Sequence, residues 1–265
     1  MKTLYFECNM GAAGDMLMSA LTELIPEPSA FIEKLNNIGI PNVKIERNTV
    51  SKCGISGTEI NVFIHGHEED ENMHEHHRHH HHHEHHTHHH TGMKEVREII
   101  DSLDVSDKVK ADASAVYDIL AAAESHVHGR PVEQIHFHEI GTMDAIVDIV
   151  GVCMLMDEIK PDVINTSHIH VGSGQVKCAH GLLPVPAPAT AYILQGVPTY
   201  GGEIKGELCT PTGAALLKYF TDNFVKVNSM TVEKIGYGTG KRRFYDDDGT
   251  EILSAVRAML GETNV

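Results

Sequence analysis

A chain of 265 residues with 41 % hydrophobic content has the length and apolar material for one large domain or two small ones. Its formal net charge of -16, with histidines neutral, repels phosphate backbones, excluding nucleic acid as a partner, and attracts cations. No apolar run approaches the ~20 residues of a membrane span. Met1–Glu7 lacks the features of a secretion signal, and five scattered cysteines without a CxxC pair fit a reducing, cytoplasmic setting.

In chain order, residues 1 to 64 read as β-α-α-β-β. Leu4-Tyr5-Phe6 is a short strand, a helix runs from Gly14 to Leu24 and stops at Pro26, and Pro28-Ser29 opens a second helix that reaches Asn37. Val43 and Ile45, then Ile60, Val62 and Ile64, alternate with polar neighbours as strands do.

Residues 65 to 92 are different. Fifteen of the 22 histidines lie here: His65, His67, His74, His76, His77, His79, His80, His81, His82, His83, His85, His86, His88, His89 and His90. Six carboxylates are interleaved with them, and Met73 is the only apolar side chain. Such a stretch buries too little surface to offset its ordering entropy, so disorder is predicted. Neutral imidazoles bind Ni²⁺, Zn²⁺, Cu²⁺ or Co²⁺, and without fixed geometry they gather metal rather than select it.

Beyond it the pattern predicts a helix over Met93–Leu103, a second capped by Ser106-Asp107 and running to His128, a strand over Val132–Phe137, an apolar helix over Met143–Ile159 and a strand over Val163–Val171. A Gly- and Pro-rich loop follows, then helices near Pro188 and Thr212 and a strand-like stretch from Phe224 to Ile235. The fold class is α+β, or α/β, with small sheets flanked by helices. Residues 1–64 and 93–245 form one folded unit, with two subdomains as a variant, and 246–265 reads as a tail.

Three segments carry candidate chemistry. In the first, His136 and His138 share a face if extended, Glu139 follows, Gly141 permits a turn, and Asp144 and Asp148 share a helix face four residues apart. Two imidazoles and two carboxylates thereby converge at a strand-to-helix junction, for metal binding or acid–base work. The plain alternative is edge-strand histidines and a helix-capping Asp144. In the second, Gly11 and Gly14 between strand and helix let backbone N–H groups approach an anion, and Asp15 stands in the first helical turn. A tight turn with an ordinary cap explains the same residues. In the third, Ser173 lies in Gly172-Ser173-Gly174, Cys178-Ala179-His180-Gly181 offers His180 as a ligand, and Thr210-Pro211-Thr212-Gly213 places Thr210, Thr212 and Gly213 at a helix start. That start is either an anion seat or an N-cap with proline at its first position. Cys178 and His180 stand too close in sequence to favour a thiol nucleophile–base pair.

These stretches together resemble the LarC family: Gly11-Ala12-Ala13-Gly14-Asp15-Met16, His136-Phe137-His138-Glu139 with Asp144 and Asp148, Cys178-Ala179-His180-Gly181, Pro184-Val185-Pro186-Ala187-Pro188-Ala189-Thr190, Thr210-Pro211-Thr212-Gly213-Ala214-Ala215 and Gly236-Tyr237-Gly238. An internal His-rich insertion is usual there too. The resemblance implies nickel insertion into pyridinium-3,5-bisthiocarboxylic acid mononucleotide, giving the nickel-pincer nucleotide of lactate racemase, with CTP and Mn²⁺ (or Mg²⁺). It implies a base at the ring carbon, for which His136, His138, Glu139 and Asp144 are candidates. It implies nickel ligation by His136, His138, Asp148, His180 and the His tract, and phosphate seating by Gly11, Gly14, Asp15, Ser173, Thr210, Thr212 and Gly213. It implies a separate C-terminal LarC component, lactate racemase apoprotein as a further partner, and a homo-oligomer. Glu7 stands where the family has Asp, and the family's C-terminal domain is expected to be missing from these residues. A nickel store or metallochaperone is the alternative, and a metal-dependent phosphohydrolase using Asp15 is a third reading.

Overall fold

The computed structural model describes residues 1–68, 92–135, 137, 141–178, 180–226 and 229–263. The first part has the expected β-α-α-β-β order: β1 (Lys2–Glu7), α1 (Gly14–Thr22), α2 (Pro28–Asn36), β2 (Val43–Lys52) and β3 (Ile55–Ile64); β4 (His67–Glu68) follows, at the start of the stretch expected to be disordered. Cys53 and Gly54, both at positive φ, make the two-residue turn that joins β2 to β3. Next come α3 (Met93–Ser102), α4 (Asp107–His128), α5 (Met143–Ile159), β5 (Val163–Thr166), β6 (Ile169–His170) and β7 (Gly172–Ser173). The hairpin β8 (Gln175–Cys178) and β9 (Gly181–Pro184) leads to α6 (Pro188–Ile193), β10 (Thr199–Tyr200), β11 (Gly206–Glu207) and α7 (Pro211–Phe220). The chain finishes with β12 (Asn223–Phe224), β13 (Thr231–Thr239), β14 (Phe244–Tyr245), β15 (Glu251–Ile252) and β16 (Ala255–Glu262). The α+β class holds.

One mixed sheet of eight strands organises the molecule, in the order β12-β5-β1-β16-β13-β3-β2 with β4 on β3. β1 runs parallel to β5 and antiparallel to β16, and β16 is antiparallel to β13. The helix α1 lies on β13, β3 and β16. Its approach explains the Gly236-Tyr237-Gly238 motif: a Cβ at either glycine would strike the α1 backbone, at the carbonyls of Ala20 and Met16. α5 packs in turn on α1, α4 and α7 and is buried on nearly every side, so its sequence is apolar all round rather than amphipathic.

Four stretches differ from their sequence reading. Val132–Gln134 is a single 3-10 turn, not a strand, because Pro131 donates no N–H and its carbonyl accepts from Gln134 N at 2.9 Å. Ile135 and Phe137 still face inward, at 4 % and 3 % exposure. The strand over Val163–Val171 breaks after Thr166, where Ser167 N turns to the Phe6 carbonyl and Ser167 Oγ accepts from Cys8 N; the chain then pairs with β10 as β6. The stretch from Phe224 to Ile235 divides between β12, which pairs with β5, and β13. The segment after Tyr245, read as a tail, supplies β16, a central strand with neighbours on both sides. Its alternation is hidden because buried Ala258, Met259 and Leu260 follow one another.

Candidate metal and nucleotide site

β1 ends at Glu7, and residues 8 to 13 turn sharply into α1. Gly11 sits at φ +74, where a side chain is strained and a Cβ would strike the Leu208 carbonyl. The turn is tied to the segment before α7 by Ala12 N to Leu208 O and by Thr210 N to Ala12 O, both 3.0 Å. Thr210 caps α7, its hydroxyl accepting from Gly213 N at 3.2 Å. The cap therefore uses two of the groups expected at the second anion seat. Thr212 is half-buried beside them. Ser173 Oγ donates to the Ile204 carbonyl at 2.9 Å.

The first turn of α1 meets the first half of α5. A Cβ on Gly14 would lie 2.6 Å from Asp148 Oδ2, so glycine is what admits the carboxylate between the two helices. Asp148 is 6 % exposed on a largely apolar helix, and its Oδ1 is buried without a hydrogen-bond partner among the described residues. Burial, then the neighbouring carboxylates of Asp144 and Asp15, push its pKa well above the usual carboxylate range; the charge of Lys241 and the Asp15 backbone N–H act the other way. Tyr117, buried on α4, borders the same group: its hydroxyl is pushed up by burial and by the charges of Asp148 and Asp144. Asp15 and Asp144 are half-exposed, and Asp15 Oδ1 accepts from Met16 N at 2.7 Å. Thr142, not Asp144, caps α5, accepting from Ala145 N at 3.4 Å.

Asp15, expected on one segment, thus lies beside Asp144 and Asp148, expected together on another. No sequence motif singles out Tyr117, which lies on the buried face of a long helix, or Lys241, which follows β13. His136, His138 and Glu139 lie outside the described residues, as do the tract histidines from His74 to His90; His65 lies at an exposed bend and His67 on β4. His180, in the β8–β9 turn, stands beside α4: its ring centroid is 4.9 Å from that of His128, whose Nε2 is 3.2 Å from Glu124 Oε2. Among the described residues no three His, Cys, Asp or Glu side chains stand ready to hold a metal ion. None of the described helices is long and apolar enough to cross a membrane.

The fold and the site define an α+β protein in which a buried Asp148 meets the half-exposed Asp15 and Asp144 behind a glycine turn. The family model described as nickel insertion protein matches residues 4–264, and the chain belongs to that family. It is 39 % identical over 265 residues to the pyridinium-3,5-bisthiocarboxylic acid mononucleotide nickel insertion protein of Clostridium kluyveri, covering 99 % of this chain and 62 % of that protein. It is 39 % identical over 278 residues to the protein of the same name from Clostridium acetobutylicum, covering 99 % and 64 %. Against the Geobacillus kaustophilus protein of that name the identity is 37 % over 263 residues, covering 99 % and 60 %. The chain therefore spans less than two thirds of the length of these curated relatives. No solved structure matches it.

Proposed function

We propose that this chain forms the nickel- and nucleotide-binding body of a nickel insertase acting on pyridinium-3,5-bisthiocarboxylic acid mononucleotide, to yield the nickel-pincer cofactor of lactate racemase. The match to nickel insertion proteins along 4–264, with the carboxylate cluster at the glycine turn, carries this reading. Two kinds of donor divide the work. Asp15, Asp144 and Asp148 offer hard oxygens, which suit Mn²⁺ or Mg²⁺ accompanying CTP or the substrate phosphate. The orphan Oδ1 of Asp148 fits that role, since a cation would satisfy it. Imidazoles suit nickel, the metal substrate: His136 and His138 hold it for transfer, and Glu139 or one of these histidines takes the proton lost from the ring carbon. The turn at Gly11 and Gly14 seats the phosphate, and the His tract concentrates nickel. A C-terminal component completes the reaction, and CTP and lactate racemase apoprotein are its further partners.

The test incubates the purified chain with the mononucleotide, Ni²⁺, Mn²⁺ and CTP, with and without a C-terminal component, and reads the nucleotide mass. A nickelated product that requires this chain supports the reading; nickel uptake by the chain with no product under either condition favours a metallochaperone.

A further inference from the structure

Tyr200, on β10, is an exposed aromatic residue with a buried support. It is 40 % exposed, and its ring lies flat on that of His170, its register partner on β6, with centroids 4.6 Å apart and planes 5° off parallel. His170 is only 6 % exposed. One face of the phenol therefore rests on protein, and its exposed area belongs to the opposite face and the rim. Thr199 and residues 201 to 203 are exposed as well, and Gly201 and Gly202 carry no side chain to fold over that face.

The support is fixed from several sides. His170 Nδ1 lies 3.0 Å from the Asn9 carbonyl oxygen, and its backbone N–H donates to the Cys8 carbonyl at 3.1 Å. Gly202 closes its other edge, where a Cβ would lie 2.6 Å from Nε2. The Tyr200 carbonyl accepts from Val171 N at 3.0 Å. A ring held this way loses little freedom when a ligand lies on it. Cys8 and Asn9 belong to the turn after β1, so the open phenol face stands beside the turn to which the phosphate is assigned above. Burial, then the charges of Cys8 and Glu7, push the Tyr200 hydroxyl up, so the ring is a neutral phenol.

We propose that Tyr200 is the stacking platform for the pyridinium ring of the mononucleotide, its open face taking the ring while the phosphate lies in the turn at Gly11 and Gly14. This rests on the nickel-insertion reading for the identity of the ring. A pyridinium ring is cationic and electron-poor, and the face of a phenol is electron-rich, so the two attract as well as shed water. A flat contact leaves the edge of the ring free, and that edge carries the two thiocarboxyl groups and the carbon that must meet the metal. Tyr200 binds and orients the ring and takes no part in proton transfer.

The chain has no tryptophan, so Tyr200→Trp installs a single fluorescent reporter at the platform. Val232→Trp is the control: Val232 is 39 % exposed and pairs with Gly261, at the opposite end of the sheet from Glu7. On titration of the full chain with the mononucleotide, without metal, the fluorescence of Tyr200→Trp is expected to be quenched to saturation. Ribose 5-phosphate, which has no ring, is expected to leave it unchanged, and Val232→Trp is expected to show no saturable quenching. By calorimetry Tyr200→Leu, which keeps apolar bulk without an aromatic face, is expected to bind the mononucleotide about fivefold more weakly, and Tyr200→Phe to bind it as the wild type does. Equal quenching in the two tryptophan variants, or wild-type affinity in Tyr200→Leu, overturns the platform. Product formation by the wild type is read separately by mass: selective quenching without nickelated nucleotide sinks the proposed function and leaves Tyr200 a nucleotide-binding residue, and product without selective quenching does the reverse.

Discussion

Asp148 is where physical cost and function meet. A carboxyl whose acidity is weakened by burial binds its proton more tightly folded than unfolded, so the native state loses stability as pH rises above the ordinary carboxylate value towards the folded one. Within that window the loss runs to about 1.4 kcal/mol per pH unit. Asp148→Asn removes the effect. At neutral pH and without divalent cation the variant is expected to be at least as stable as wild type by urea unfolding, and a rise in Tm on adding Mn²⁺ is expected for the wild type and not for the variant. Gly14→Ala forces a methyl against the same carboxylate, and overpacking of this kind costs roughly 1–3 kcal/mol. Calorimetry should show that loss together with weaker Mn²⁺ binding. The cysteines follow burial too. Burial, with the charge of Glu207, pushes the Cys209 thiol up to about 12, and Cys8 and Cys153 are also raised, whereas Cys53 is exposed. Iodoacetamide at neutral pH should label Cys53 in the native protein and reach Cys8, Cys153 and Cys209 only after unfolding, as peptide mapping would show.

At the scale of elements, helices were legible and short strands were not. Ser106 before Asp107 and Pro211 after Thr210 mark helix starts that the structure reproduces, because capping is a local property of a few adjacent residues. Thr210→Ala is accordingly expected to cost about 1 kcal/mol through the lost cap, with a less than about twofold change in nucleotide KM if the hydroxyl serves Gly213 alone; chemical denaturation and steady-state kinetics measure the two. The strand expected over 132–137 and the break in 163–171 depended on partners distant in sequence, Phe6 and Cys8 for Ser167 among them, which periodicity does not register. The same holds for the site. The grouping of Asp144 with Asp148 follows from helical spacing, but the arrival of Asp15 and Tyr117 beside them depends on how α1, α4 and α5 pack.

For the whole molecule, β16 closes the sheet between β1 and β13, so the last residues hold the first ones in place. Along it Arg257 pairs with Glu7 and reaches the Tyr237 hydroxyl at 3.5 Å, tying the strand that feeds the glycine turn to its neighbours. The division of labour proposed above puts chemistry in this body and metal supply in the His tract, and it is tested most directly by deleting residues 65 to 92 and assaying nickelation by nucleotide mass, with the C-terminal component, Mn²⁺ and CTP present. In excess Ni²⁺ the shortened chain is expected to form the product as the full chain does and to fall behind only when nickel is scarce. Loss of product at every nickel concentration, from a chain whose circular dichroism is otherwise unchanged, would contradict it and place the activity in the tract.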